Sequence, residues 1–270
     1  MNRVRRHAHF LSSIAFFAFL LVFAHASVSA QDDDVVKVDS SIVVVNATVT
    51  DVSGLSAQGL KRSQFTVLED GVPQEIVDFL PEETSFAAVI LIDTSGSMES
   101  RVSLARAAAI KFLEGLRRND VAAVYNFDSK VEQVQDFSSV TDLADRAFDL
   151  KSKGMTVLHD AVYQAAAALS KRPERRRAII VLSDGYDTLS KASFDKALKA
   201  ASDANANIYT VDMSPLPEYD AESRTTEALR RRSQTQSVLK KFAEKTGGTF
   251  VATPGGQAMR DAFRKFVEEL

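Results

Sequence analysis

Hydrophobic and polar positions change their rhythm twice along the chain. After a polar, acidic stretch at 32–39, the run "SIVVVNATVTDVSG" from Ile42 is β-branched and predicts a strand that meets a turn at 51–54. "SQFTVLEDGVPQEIVDFL" predicts a hairpin turning at Asp70-Gly71. From Phe86 the pattern alternates. Apolar runs "FAAVILI", "DVAAVYNF", "RAIIVLS" and "NIYTVDM" are separated by stretches with apolar residues at helical spacing, at 103–116, 159–170 and 193–204. Residues 220–246 predict a long polar helix ended by Gly247-Gly248, "TFVA" an edge strand, and 257–270 a last helix.

Strands that are apolar on both faces and alternate with helices imply a parallel sheet covered on both sides. The expected fold is therefore α/β: a Rossmann-like, mostly parallel sheet with helices on both faces, preceded by a small all-β segment. That segment, 42–82, is too small to be stable alone and needs something to pack on. The α/β domain takes 83–270.

The N-terminus predicts a different fate. Arg3, Arg5 and Arg6 precede an apolar run from Ile14 to Ala24, and Val28 and Ala30 stand at −3 and −1 before Gln31. This is the layout of a secretory signal peptide over 1–30, with a flexible acidic linker at 31–41. The apolar run is short for a membrane span, which needs about 20 residues; an uncleaved anchor is the alternative. The expected location is periplasmic or secreted, with no membrane span after cleavage.

Cleavage alters the chemistry on offer. The signal holds three Arg and no acid, leaving 30 basic against 36 acidic residues, a net charge of −6. That argues against a nucleic-acid partner. Three of the four histidines leave with the signal, His159 remains, and there is no cysteine. Disulfides, thiol nucleophiles and His/Cys zinc sites are thereby excluded.

The loops at the C-terminal ends of the strands, where ligands bind in open α/β sheets, carry oxygen of one kind. "VILI" delivers Asp93-Thr94-Ser95-Gly96-Ser97, "AIIVLS" delivers Asp184-Gly185, and "KGMTVLHDAV" brings Gly154 and Thr156. No Gly-Lys-Ser/Thr phosphate loop and no Gly-x-Ser-x-Gly elbow is present. A hard cation held by oxygen fits, Mg2+ above all, with Mn2+ or Ca2+ as alternatives. The plainer reading is that Asp93, Ser95 and Ser97 simply cap a helix, but it leaves Thr156 and Asp184 at the same edge unexplained.

Asp93-Thr94-Ser95-Gly96-Ser97 resembles the D-x-S-x-S signature of von Willebrand factor type A domains, the metal-ion-dependent adhesion site. Thr156 in "GMT" and Asp184 in "LSDG" match its other two elements, and the likeness runs over about residues 86–270. The stretch "GLKRSQFTVLEDGVPQEIVDF" resembles the β segment preceding the A domain in exported bacterial proteins of Acidobacteria type. In those proteins further strands usually follow the last helix, so the β unit of a chain stopping at Leu270 is expected to lack a partner. The resemblance implies roles. Ser95, Ser97 and Thr156 would ligate Mg2+ through their hydroxyls, while Asp93 and Asp184 would act mostly through water. Neutral hydroxyls leave the ion's charge poorly quenched, so a carboxylate from a protein partner is drawn to it.

The implied function is a non-enzymatic, exported binding module for an acidic side chain of a protein partner. A metal-dependent hydrolase, with His159 as the available base, and a structural envelope module with a degenerate site are the alternatives. Other residues have ordinary expected roles. His159 reads as a surface or capping residue, Asp160 as a helix-start charge, Asp187 as a neighbour of the site in sequence, and Asp128 as a turn residue. The runs 175–177 and 230–232 read as solvated helix ends or faces.

Overall fold

The computed structural model describes residues 42–45, 47, 49–52, 57, 59–81, 84–139, 155–214, 225–252 and 256–270. The expected signal peptide, the linker and Gly154 lie outside the described residues. The chain divides into two compact units, Met1–Val43 and Val44–Leu270, and the architecture below is that of the second. Among the described residues no helix is long and apolar enough to cross a membrane.

The hairpin forms where Asp70-Gly71 places it. Strands β1 (Val67–Glu69) and β2 (Val72–Gln74) pair antiparallel, with Glu69 opposite Val72. Asp70 and Gly71 both take positive φ, 51° and 82°, which a two-residue turn matched to strand twist requires. The strand expected from Ile42 is not found: the described residues of 42–52 form no strand, and Ala57 N–H donates to Val49 O at 2.9 Å. Val44, Val45, Leu68, Val72 and Val77 are exposed, so β-branched patterning here finds no buried face to satisfy. Strand patterning signals a half-buried surface rather than an intrinsic backbone preference.

The α/β body follows the alternation closely. Strands β3 (Phe86–Asp93), β4 (Val121–Phe127), β5 (Val131–Ser138), β6 (Arg176–Ser183), β7 (Ala206–Asp212) and β8 (Phe250–Ala252) form one sheet in the order β5-β4-β3-β6-β7-β8. All neighbours pair parallel except β4 and β5. The antiparallel edge β5 was absent from the sequence reading: "VEQVQDFS" is polar because an edge strand is half exposed.

Helices α1 (Val102–Glu114), α2 (Leu158–Leu169), α3 (Phe194–Asp203), α4 (Thr226–Thr246) and α5 (Gly256–Glu269) cover the sheet. The period of two in β3 sorts them. Phe86, Ala88, Ile90 and Ile92 pack with residues of α1 and α5, including Phe112, Phe263 and Phe266. Ala87, Val89 and Leu91 face the opposite way and pack with α2, α3 and α4, including Leu158, Ala201 and Phe242. Every residue of β3 is buried, as expected for a central parallel strand covered on both faces.

The arginine run at 175–177 is not a solvated helix end. Arg177 donates to the carbonyls of Glu174, Ala204 and Arg172 at 2.7–2.8 Å, and Arg176 to those of Thr84 and Glu269. Both arginines start β6 and staple the chain segments that meet there, while Arg175 pairs with Asp78 of the hairpin segment.

Candidate functional site

Parallel pairing brings the C-terminal ends of β3, β4, β6 and β7 to one edge, and each delivers an acid or a hydroxyl there. Asp93 ends β3 fully buried. Its Oδ1 accepts from Ser95 N at 2.9 Å and its Oδ2 from Ser183 Oγ at 2.6 Å. Thr94 N–H donates to Phe127 O at 2.9 Å, tying this loop to the end of β4.

Ser95 stands before the short 3-10 helix Gly96–Arg101, yet its side chain makes no cap hydrogen bond. Its Oγ meets Ser97 Oγ at 3.1 Å instead. Ser95 is buried and Ser97 exposed, so the hydroxyl pair runs from the interior to the surface. Ser97 also bonds the carboxylate of Asp184, the buried acid after β6. The first loop therefore uses its hydroxyls for each other and for the third loop, not to cap the helix that follows.

Thr156 is buried and held on both sides. Thr156 N–H donates to Thr188 Oγ1 at 2.9 Å, and Thr156 O accepts from the amides of Thr188 and Leu189 at 2.9 and 3.1 Å. The next amide, Val157 N–H, donates to Asp128 O. Two acids fasten the same loops together. Asp187 Oδ2 accepts from His159 N at 2.8 Å, while Asp160 accepts from the amides of Lys191 and Ala192. Segment 184–192 and the start of α2 thus form one clamped body that carries both Thr156 and Asp184.

These contacts revise several expectations. Asp160 holds backbone amides of a neighbouring loop rather than only complementing a dipole. Asp128 is the turn residue expected, its Oδ1 accepting from Ser129 Oγ and Lys130 N. His159 is not a surface residue. Its ring packs edge-on against Phe194 and Phe242 at 6.0 and 5.9 Å, its Nδ1 lies 3.5 Å from Asp187 Oδ2, and its buried Nε2 has no partner among the described residues. Apolar residues before and after it in α2 pull the ring inward.

Two residues escaped the sequence reading. Ser183 bonds Asp93, and its Oγ also accepts from Gly185 N at 3.0 Å. Asp212 ends β7, buried, opposite Ser183 in the strand register. Its carboxylate accepts from Ser214 N at 2.8 Å and Gln236 Nε2 at 2.6 Å, with Arg232 at 3.6 Å. Arg232 is thus not part of a solvated run. The signal for Asp212 was present: "NIYTVD" ends an apolar strand on an acid, as "VILID" does.

Electrostatics single out the two acids of the loops. Burial, then the charge of Asp184, pushes Asp93 up to about 7 against the hydrogen bonds from Ser183 and Ser95. Burial, with Asp212 adding, raises Asp184 against the bonds from Ser97 and Tyr186 N. No Lys or Arg pairs with either among the described residues. Nor do three His, Cys, Asp or Glu side chains there form a cluster that could hold a metal by themselves. The groups brought together are two buried acids and the hydroxyls of Ser95, Ser97 and Ser183, oxygen donors of the kind a hard divalent cation takes, while Thr156 stands nearby in the chain segment clamped to the loop of Asp184.

The comparisons agree on the fold. Residues 88–186 match the family model described as von Willebrand factor type A domain. No curated protein matches the chain. Among solved structures, an aerotolerance-related membrane protein from Bacteroides fragilis is 18% identical, with 69% of this chain and 100% of that one covered and a TM-score of 0.51. BatB from Bacteroides thetaiotaomicron is 19% identical over 68% and 98% of the two chains, TM-score 0.50. The pilus adhesin SpaC from Lactobacillus rhamnosus GG, in its open conformation, is 12% identical over 68% of this chain and 30% of its own, TM-score 0.53. The matched segment runs from β3 to the loop after β6, through Asp93, Ser95, Ser97, Thr156 and Asp184, so over these residues the α/β body of this chain is similar to a von Willebrand factor type A domain and has that fold.

Proposed function

We propose that this chain is an exported binding module that holds Mg2+ at the loops of β3, α2 and β6 and uses it to capture an acidic side chain of a protein partner. Domains of this family are interaction modules. One observation carries the finer reading: Ser95 leaves its helix uncapped and turns its hydroxyl to Ser97, beside two buried acids that have no basic partner among the described residues. Ser95, Ser97 and Thr156 would hold the ion, and Asp93 and Asp184 would orient the hydroxyls and balance its charge. The ion would supply positive charge toward solvent. Neutral hydroxyls quench that charge poorly, which favours an incoming carboxylate. The reading is non-enzymatic, since His159 is committed to Phe194, Phe242 and Asp187.

Melting curves in millimolar Mg2+ and in EDTA test the ion. Mass action raises the stability of the wild type by about 2.7 kcal/mol once Mg2+ reaches a hundred times its dissociation constant. Asp93→Ala and Ser97→Ala are expected to lose most of that gain, and equal gains in all three proteins would place the ion elsewhere. Export is tested separately. Mass spectrometry of the secreted or periplasmic protein is expected to find Gln31 first, and a chain still carrying residues 10–25 would favour an anchor.

A further inference from the structure

Among the described residues, β1 pairs with β2 alone, and the two outer edges of this hairpin are chemically unlike. Asp70-Gly71 is a two-residue turn, so Glu69 and Val72 close the hairpin as a hydrogen-bonded pair. Leu68 and Pro73, opposite each other, are then the next, non-hydrogen-bonded pair, and their backbone groups point outward. On β2 the outward position is Pro73, which has no N–H to give, so that edge is closed to another strand. On β1 it is Leu68, which carries both an N–H and a C=O, with no turn or loop bond made to either and its side chain 58% exposed. An open edge of this kind is a template for strand addition. Charge also runs along it in one direction. Lys61 and Arg62 stand just ahead of β1, Glu69 and Asp70 end it, and all four are exposed.

We propose that the β1 edge pairs antiparallel with the β1 edge of a second copy of this chain, about a two-fold axis at Leu68, giving a sheet in the order β2-β1-β1-β2. The direction of charge selects this occupant. In the two-fold arrangement Leu68 faces its own counterpart and Glu69 faces Val67, so no like charges stand directly opposite. The basic start of each β1 meets the acidic end of the other, once in each half, as a self-complementary interface requires. A parallel arrangement would set acid against acid and base against base. With Asp70 of the second copy opposite Thr66, its turn ends beside an open groove lined by Lys61, Arg62, Phe65 and Ile76. Two strands this short bury little area, so the pairing is weak, and dilute protein keeps its hairpin open. Arg175, the residue ahead of β6, pairs with Asp78 after β2, which attaches the hairpin segment at the end of the sheet opposite the acids and hydroxyls. On the reading of that far edge as an ion site, a dimer carries two such edges, neither covered by the pairing, and gains avidity on a surface that repeats the captured acid.

The test uses the full chain in EDTA, which separates it from the ion reading. Sedimentation velocity of the wild type, from about 5 μM to about 1 mM, is expected to show monomer giving way to dimer across that range. The double variants Lys61→Glu, Arg62→Glu and Glu69→Lys, Asp70→Asn each put like charges at both meeting points, and Asn tolerates the left-handed backbone of Asp70. Each alone is expected to lose about tenfold in self-association, and an equimolar mixture of the two to regain it. Position is tested by cross-linking, since the chain has no cysteine. Leu68→Cys is expected to form a disulfide-linked dimer under mild oxidation, because facing Cα atoms of a hydrogen-bonded pair stand about 5.5 Å apart, within disulfide range. Val72→Cys, on β2, is expected to react at least about tenfold more slowly. A wild type that is monomeric throughout overturns the proposal. So do charge variants that dimerise alone as well as the wild type or fail to recover on mixing, and cross-linking as fast at 72 as at 68. The cysteine arm leaves every charged residue in place, so a charge variant that fails to fold does not leave the question open.

Discussion

Ser183 Oγ donates to Asp93 Oδ2 at 2.6 Å across the join between β3 and β6, and the same oxygen accepts from Gly185 N at 3.0 Å. One hydroxyl thus connects the acid of the first loop to the backbone of the third. The bond joins the two loops through groups of the chain itself, so Ser183 takes part in orienting the Asp93 carboxylate.

Ser183→Ala is therefore expected to be costly out of proportion to its size. It strips a buried carboxylate of a donor and leaves the Gly185 amide without its acceptor, in a place water does not reach. An unsatisfied buried polar group costs about 1–3 kcal/mol. Urea denaturation in EDTA is expected to show a loss in that range, together with a smaller Mg2+ gain than the wild type. A loss under about 0.5 kcal/mol would mean that Asp93 is oriented without Ser183.

The Asp93 acid predicts how metal-free stability depends on pH. Its folded value is raised from 3.8 to about 7, so between those values the folded state holds a proton that the unfolded state has released. Stability then falls as pH rises through that window, by an upper limit on the order of 4 kcal/mol, each pKa unit being worth about 1.4 kcal/mol. Asp93→Asn removes the titration while keeping an acceptor for Ser95 N and a donor for Ser183. Denaturation in EDTA at pH 5 and pH 7.5 is expected to show the wild type losing stability relative to Asp93→Asn on the way up. Parallel behaviour of the two proteins would show that Asp93 is charged throughout and compensated by another group.

The sheet and its helices were legible because a buried parallel strand has a pattern that little else shares, as "FAAVILI" illustrates. The acids at strand ends were legible for the same reason: each interrupts an apolar run. Asp212 interrupts one too, but lacks a motif to draw attention to it. Ser183 was hidden inside the run "AIIVLS", where a serine reads as a tolerated small residue, and its role exists only because β3 and β6 are neighbours. Pairing of strands distant in sequence also decides the fate of Arg176 and Arg177, whose carbonyl partners come from four separate places in the chain. The reading of 42–50 failed for the opposite reason: its local pattern is strong, but no described partner gives it a face to bury.

Hydrogen exchange is expected to divide the chain accordingly. Amides of β1 and β2 belong to two three-residue strands with exposed or half-buried side chains, at the low-stability end where local opening dominates. Those of Val89 to Ile92 sit in the centre of six strands. Exchange in the hairpin is expected to be faster by several orders of magnitude, and equal protection in a demonstrated monomer would show that the hairpin is completed by other parts of the chain.

Gly185 offers the sharpest test of how α4 supports the edge. Its φ of +83° lies in the left-handed region, and a Cβ there would stand 2.7 Å from Thr235 O and 3.1 Å from Leu239 Cγ. Thr235 belongs to the turn of α4 that also carries Arg232 and Gln236 to Asp212. Gly185→Ala must therefore either give up its backbone conformation, losing the amide bond to Ser183, or push α4 outward, loosening Gln236 from Asp212. Gly71 isolates the conformational part of the cost, because its φ is +82° with nothing within 4 Å of an added Cβ. Left-handed strain alone costs about 1–2 kcal/mol for a residue with a side chain. Gly71→Ala is expected to stay at or below that, since the hairpin it serves adds little to global stability. Gly185→Ala is expected to exceed it, with the Mg2+ gain reduced as well. Equal losses in the two variants, measured by urea denaturation, would show that α4 yields freely and that its contact with the loop does not hold Asp184 in place.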